Sequence, residues 1–286
     1  MITRGIETVS KGMQALIDFE DITAHNLANV TTTGFKRSNI TFQDIMQSNV
    51  KAKTASGGTK EVGSLSIGSR ADRTYIDFSQ GGLQETGHKL DAAFQGDGFF
   101  KIRHRDVKDT DPYDERNYYY QRTGHFALTD ENWLINKDGD YVMDMKDRRI
   151  RITRDLNTDD INEMNRLDIG KDLLIGETGQ IELCNANYRA TLQKIKVIDF
   201  KDKTKISCIG QAKYRPIYGQ DPGIYVKKDG TFNIQQGMME MSNVSTITEM
   251  LNSINVSRGY ESMSTILKTE SDTLRQVIGL GNISNR

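Results

Sequence analysis

Proline and cysteine are scarce in this chain, with 3 and 2 in 286 residues. So few cysteines exclude a disulfide scaffold. Cys184 and Cys208 stand 24 positions apart, with no CxxC and no flanking histidine pair, which argues against a metal site. They read as free thiols, or as one disulfide in an oxidising compartment. A basic surplus is also missing: 38 Lys and Arg face 39 Asp and Glu, so the net charge is -1 and nucleic acid is not an expected partner. No apolar run approaches the roughly 18 residues that suggest a membrane span, so direct membrane insertion is not expected. The first helix is acidic and interrupted by glycine, unlike the basic start and apolar core of a signal peptide, so any export is expected to proceed without a cleaved signal.

Catalytic patterns are equally sparse. His25, His88, His104 and His125 are scattered without HExxH, and no Ser or Cys stands in a recognised nucleophile context. The carboxylates Asp106, Asp109, Asp111, Asp114 and Glu115 lack EF-hand spacing and alternate with Arg103, Arg105, Lys108 and Arg116, which reads as a solvated loop. Gly96 Asp97 Gly98 has no GxGxxG around it and reads as a hairpin turn. A glycosidase needs paired carboxylates, one of them in an apolar setting that raises its pKa, and no Asp or Glu sits in such a setting. We therefore expect no catalytic residues, no metal and no cofactor.

What the sequence does contain is helix at both ends. From Val244 to Ile278, with no proline, apolar residues recur at Val244, Ile247, Leu251 and Ile254, then out of phase at Val256, Tyr260, Met263, Leu267, Leu274 and Val277. The phase break falls near Gly259. Asn243 is a candidate cap, Thr246 with Glu249 fits a capping box, and Gly279 and Gly281 mark the stop. Such a helix is about 50 Å long and needs a long partner. Ile6, Val9, Met13, Leu16, Ile17 and Leu27 follow similar spacing at the other end, so the two are expected to pair antiparallel. Gly5 and Gly12 weaken the first helix, and part of the apolar surface is then left for other molecules.

Between the helices the chain changes character. Residues 38–68 are polar, rich in Ser, Thr, Lys and Gly, and read as an extended linker or a segment ordered on assembly. From Arg73 to Ile234 short β-branched and aromatic runs are punctuated by Asp97-Gly98, Asp138-Gly139 and Asp229-Gly230 turns. Tyr118, Tyr119 and Tyr120 read as strand residues facing alternate sides, and residues 157–167 as a short helix or polar loop. The expected fold class is a mainly β middle domain inserted between two long terminal α-helices that pair as a coiled-coil-like α domain. Its expected divisions are a terminal helical domain from 1–36 and 242–286, a linker over 37–72, and a β-rich outer domain over 73–241.

Asn26 Leu27 Ala28 Asn29 Val30 Thr31 Thr32 Thr33 Gly34 Phe35 Lys36 closely resembles the N-terminal signature of the bacterial flagellar axial proteins, the family of rod and hook subunits. Gln80 Gly81 Gly82 Leu83, Leu90 Asp91 and Gln95 Gly96 Asp97 Gly98 Phe99 Phe100 are similar to its central signature, and Tyr120 to Phe126 to the next. Gln236 to Val244, Glu249 Met250 and Arg258 Gly259 Tyr260 Glu261 resemble the C-terminal one. His25 and Gly259 depart from the usual asparagine and alanine, and the charged insert 103–117 has no counterpart in the pattern.

The resemblance implies a structural subunit of the flagellar basal-body rod, with a hook-type subunit or a secreted β-rich binding module on a helical stalk as alternatives. It implies helical self-assembly, with copies of itself, neighbouring rod and hook subunits, the flagellar export apparatus and surrounding ring proteins as partners, in the rod within the periplasmic space. Leu27, Val30, Phe35, Val244, Ile247, Leu251, Ile254, Tyr260, Met263, Leu267 and Leu274 are the expected assembly residues.

Overall fold

A computed structural model describes residues 2–44, 47–53, 59–66, 68–107, 114–152, 173–185, 188–210 and 212–283. The chain forms two compact units, one of Met1–Ala28, Ser38–Tyr75 and Ser245–Arg286, the other of Asn29–Arg37 and Ile76–Val244.

In the first unit, α1 spans Ile2–Ala28 and α2 spans Thr246–Ile283. Ser245 caps α2: its hydroxyl accepts from the Thr248 amide at 3.5 Å, and Glu249 adds an acid to the first turn, where the helix dipole favours it. The helix continues past Gly279 and Gly281. Contacts run in opposite directions along the two helices. Gly5 faces Glu270, Gly12 faces Met263, Leu16 faces Gly259, and Ser253 Oγ donates to Glu20 Oε1 at 2.6 Å. Strands β1 (Ser38–Asp44), β2 (Gln47–Lys53), β3 (Thr59–Ser66) and β4 (Ser69–Ile76) follow α1, with β1 paired to β4 and β2 to β3. The buried side chain of Asn26 fastens α1 to β1, donating to Ser38 O at 2.8 Å and accepting from Ser38 N at 2.9 Å. Phe19 meets Phe42 edge to face at 6.1 Å.

The expected coiled-coil-like α domain is therefore corrected. The terminal unit carries four described strands besides its helices. The helix seam includes glycines against single larger side chains, together with a Glu–Ser hydrogen bond. The aliphatic residues that a heptad seam would bury, Ile247, Leu251 and Ile254, are 73%, 55% and 48% exposed. The physical cause is glycine: with no side chain at Gly12 or Gly259, the backbone offers a flat place for Met263 or Leu16, and the seam follows those positions. The stretch read as a linker, 37–72, holds β1 to β3 and the first half of β4.

The second unit is β-rich. Its strands are β5 (Leu83–Glu85), β6 (Asp91–Gln95), β7 (Phe99–Arg103), β8 (Tyr118–Gln121), β9 (Gly124–Leu128), β10 (Leu134–Asn136), β11 (Tyr141–Val142), β12 (Leu173–Ile175), β13 (Gln180–Asn185) and β14 (Tyr188–Lys194). They continue with β15 (Val197–Phe200), β16 (Ile206–Gly210), β17 (Lys213–Pro216), β18 (Ile224–Val226), β19 (Asn233–Gln236) and β20 (Met238–Glu240). The main sheet runs β16-β17-β8-β7-β11-β10-β9-β6-β19, with β15 joining β7 to β18. Smaller sheets are β12-β13-β14 and β20-β5.

Strand β7 is buried along its whole length because both faces of the sheet are covered. Phe100 and Ile102 enter the larger core, with Tyr119, Val197, Leu173 and Ile175 of β12, and Ile181 and Leu183 of β13. Phe99 enters a second core with Phe78, Tyr120, Ile198, Phe200 and Tyr214. Alternation in the sequence thus feeds two cores, each buried aromatic contributing about 1.5–3 kcal/mol. In the second, Phe99 meets Phe78 at 5.4 Å and Phe200 at 5.2 Å, both edge to face. Cys184 and Cys208 are free thiols. Residues 157–167, and 108–113 of the charged insert, lie outside the described residues.

Candidate assembly surface

Ile247, Met250, Leu251 and Ile254 recur at three- and four-residue steps and so share one face of the first turns of α2. Met250 is 50% exposed, so all four present their side chains to solvent. Glu249, between these positions in sequence, and Val256, two residues after the last of them, are buried. Covering one such aliphatic side chain contributes about 1.5–3 kcal/mol. A partner burying this face therefore gains several times that amount before the costs of association are subtracted.

The second unit contains a buried ionic knot. Glu240 ends β20 and accepts three hydrogen bonds on its carboxylate: Lys36 Nζ at 2.7 Å and Gly81 N at 2.9 Å on Oε1, and Arg122 Nε at 2.5 Å on Oε2. None of the three ionic side chains reaches solvent appreciably. Lys36 also donates to Ser79 O at 2.6 Å, and Arg122 to Gly96 O. Burial pushes the Lys36 ammonium below its ordinary pKa, the Arg122 charge adds to that, and Glu240 opposes both.

Backbone and amide contacts surround the knot. Gly34 N donates to Glu240 O at 2.7 Å and Met241 N to Gly82 O at 2.8 Å. Asn243, a candidate helix cap on sequence, has a different task. Its Oδ1 accepts from Arg37 N at 2.7 Å, and its Nδ2 donates to Asp77 O at 2.9 Å and Ser79 Oγ at 3.0 Å. The chain thus enters this unit and leaves it at one bonded place. Two glycines are demanded there. Gly34 has φ +68°, and a Cβ on it would lie 2.1 Å from Thr123 Oγ1; a Cβ on Gly81 would lie 2.0 Å from Met241 O.

The expected assembly residues fall into different settings. Ile247, Leu251, Ile254 and Tyr260 are exposed on α2; Met263, Leu267 and Leu274 are half-buried on it, Met263 against Gly12. Leu27 is half-buried on α1. Val30, half-buried, and Phe35 and Val244, both buried, belong to the second unit. Lys36, Arg122 and Glu240 escaped the sequence reading as a group, although Glu240 is a lone charge in an otherwise uncharged run from Gly230 to Thr248.

Residues 235–280 match the family model described as flagellar basal body rod FlgEFG protein C-terminal. Over 96% of its length the chain is 27% identical to the flagellar basal-body rod protein FlgG of Bacillus subtilis, covering 99% of that protein. It is 29% identical to the FlgG of Borreliella burgdorferi over 95% of this chain and 96% of that one. It is 26% identical to the basal-body rod protein FlgF of Caulobacter vibrioides over 92% of each.

Proposed function

Because the chain belongs to the flagellar rod and hook family as a structural subunit of the basal-body rod, we propose that it builds the rod by helical self-assembly through its terminal helices. The observation that carries this reading is the exposed aliphatic face of α2, Ile247, Met250, Leu251 and Ile254. Stacked copies bury that face in the inner layer of a tube, and an open, head-to-tail contact lets the polymer grow. Tyr260, Met263, Leu267, Leu274 and Leu27 extend the same contact, while Val30, Phe35 and Val244 contribute from the segments where the chain enters and leaves the β-rich unit.

The β-rich unit then forms the outer layer and transmits torque through lateral contacts between copies. Its role is structural and not enzymatic, and the relatives are named as rod proteins. Neighbouring rod and hook subunits, the export apparatus and the surrounding rings are its partners in the periplasmic rod.

The test is a strain whose only copy carries Leu251→Asp. An unpaired charge in the apolar contact opposes assembly, so the protein accumulates and rods are missing in electron micrographs of basal bodies. Normal rods and motility in that strain would refute the proposal.

A further inference from the structure

Met250 stands one helical turn from both Ile247 and Ile254, so its thioether lies within the exposed aliphatic face at the start of α2. Among the described residues, Met250 and Met145 are the exposed methionines. Met143 is fully buried, and Met263 rests against Gly12 in the helix seam. The two exposed sulfurs have different settings. Met145 sits in the turn after β11, which the Asp144 carboxylate closes by accepting from Lys146 N at 2.8 Å and Arg148 N at 2.9 Å, so the hold of that turn does not depend on the thioether.

On the α2 face, Met250 is the side chain that a mild oxidant changes, since Ile247, Leu251 and Ile254 are saturated hydrocarbon. Hydrogen peroxide reacts with a thioether in one balanced step. The sulfur lone pair takes one oxygen as the O–O bond breaks, sulfur is oxidised by two electrons, and the second oxygen leaves as water. The sulfoxide formed is a polar hydrogen-bond acceptor in place of an apolar group. Its three neighbours on the face offer no side-chain donor, so covering it with another apolar surface leaves the oxygen unpaired.

We propose, resting on the assembly role given to this face, that Met250 is an oxidation-sensitive site: a peroxide converts it in the free subunit, and the sulfoxide closes α2 to incoming copies. Stacking covers the thioether, so subunits already in the polymer are shielded and only unassembled ones are withheld. Sulfoxide reductases return the thioether at the expense of a dithiol, which becomes a disulfide as water is released, so the block is reversible.

The test treats the unassembled full chain with hydrogen peroxide, removes the excess with catalase and follows growth by sedimentation, while mass spectrometry locates the added oxygen. Conversion of Met250 should raise the concentration needed for growth at least about tenfold. Methionine sulfoxide reductase with dithiothreitol should restore growth in step with the reduction of Met250. Met145→Leu should stay sensitive to peroxide, whereas Met250→Leu, compared with its own untreated sample, should not respond. If Met250→Leu does not grow, the reductase reversal in the wild type carries the test. Growth unchanged by sulfoxide at Met250, a Met250→Leu protein inhibited as strongly as the wild type, or Met250 left reduced while Met145 is converted would overturn the proposal. An untreated wild type that never grows, or Met250 oxidised within grown polymer, would instead refute the assembly role of the face and the proposal with it.

Discussion

Lys36 and Glu240 stand 204 positions apart in the chain and meet at 2.7 Å, with neither side chain exposed to solvent. Arg122 completes the group from a third region of the sequence. Two cations and one carboxylate removed from water are tolerable only while their mutual contacts persist. The group therefore reports whether the first and last segments of the β-rich unit are held together.

Glu240→Gln leaves Lys36 and Arg122 buried beside each other without a counter-charge. The expected loss in urea denaturation followed by Trp133 fluorescence is about 3–5 kcal/mol. Lys36→Met should cost less than half as much, because Arg122 and the Gly81 amide still hold the carboxylate. Equal losses from the two substitutions would show that Glu240 does not organise the group.

Stability should rise with pH through the range where Lys36 titrates. Its pKa in the folded protein lies below 10.5, burial being the main cause and Arg122 the next. Between those two values the unfolded chain binds more protons than the folded one, so the unfolding free energy increases with pH. Above about pH 10 the trend reverses: burial raises the pKa of Tyr119 and Tyr214, which keep their protons when folded and lose them when unfolded. Urea midpoints from pH 7 upward should show the rise in the wild type and not in Lys36→Met. A difference between the two that is constant with pH would contradict this.

Neighbouring glycines should behave in opposite ways. A Cβ on Gly81 would lie 2.0 Å from the Met241 carbonyl oxygen, a backbone atom that cannot swing aside, whereas a Cβ on Gly82 meets nothing within 4 Å. Gly81→Ala should cost about 1–3 kcal/mol and Gly82→Ala about 0.5 kcal/mol or less. Thermal melts of the two variants decide it, and similar shifts would contradict the placement of Gly81.

Gly259→Ala should strengthen α2. Alanine is favoured over glycine within a helix by about 1 kcal/mol, and the new methyl would meet Leu16 Cδ1 at 3.2 Å, the tip of a flexible side chain. Helix signal in far-UV circular dichroism should persist to higher temperature. A lower helix melting temperature would mean that Leu16 cannot move and that the seam depends on the missing side chain.

Much of the β-rich unit was legible because alternation is a local signal: Phe99 to Arg103 and Tyr118 to Gln121 announce strands and supply both cores. The helices were legible from their three-and-four spacing. How they pack was not, since Gly12 and Gly259 read as weak points of a helix, although in the fold Met263 and Leu16 lie against them. The strands after α1 were missed because residues 38–68 are polar with little periodicity, and pairing such as β1 with β4 is decided by distant backbone. The ionic knot was hidden for the same reason: Lys36, Arg122 and Glu240 each look like a surface charge until the fold brings them together.

Sedimentation velocity of the full chain against Leu251→Asp/Ile254→Asp, over a rising series of concentrations, tests the central claim most directly. The account predicts that the wild type grows into species of no fixed size as the exposed face of α2 is covered. The variant should remain small, with its Trp133 emission and urea midpoint unchanged. Growth of the variant equal to that of the wild type, or a wild type that stays a closed monomer or dimer at every concentration, would contradict it.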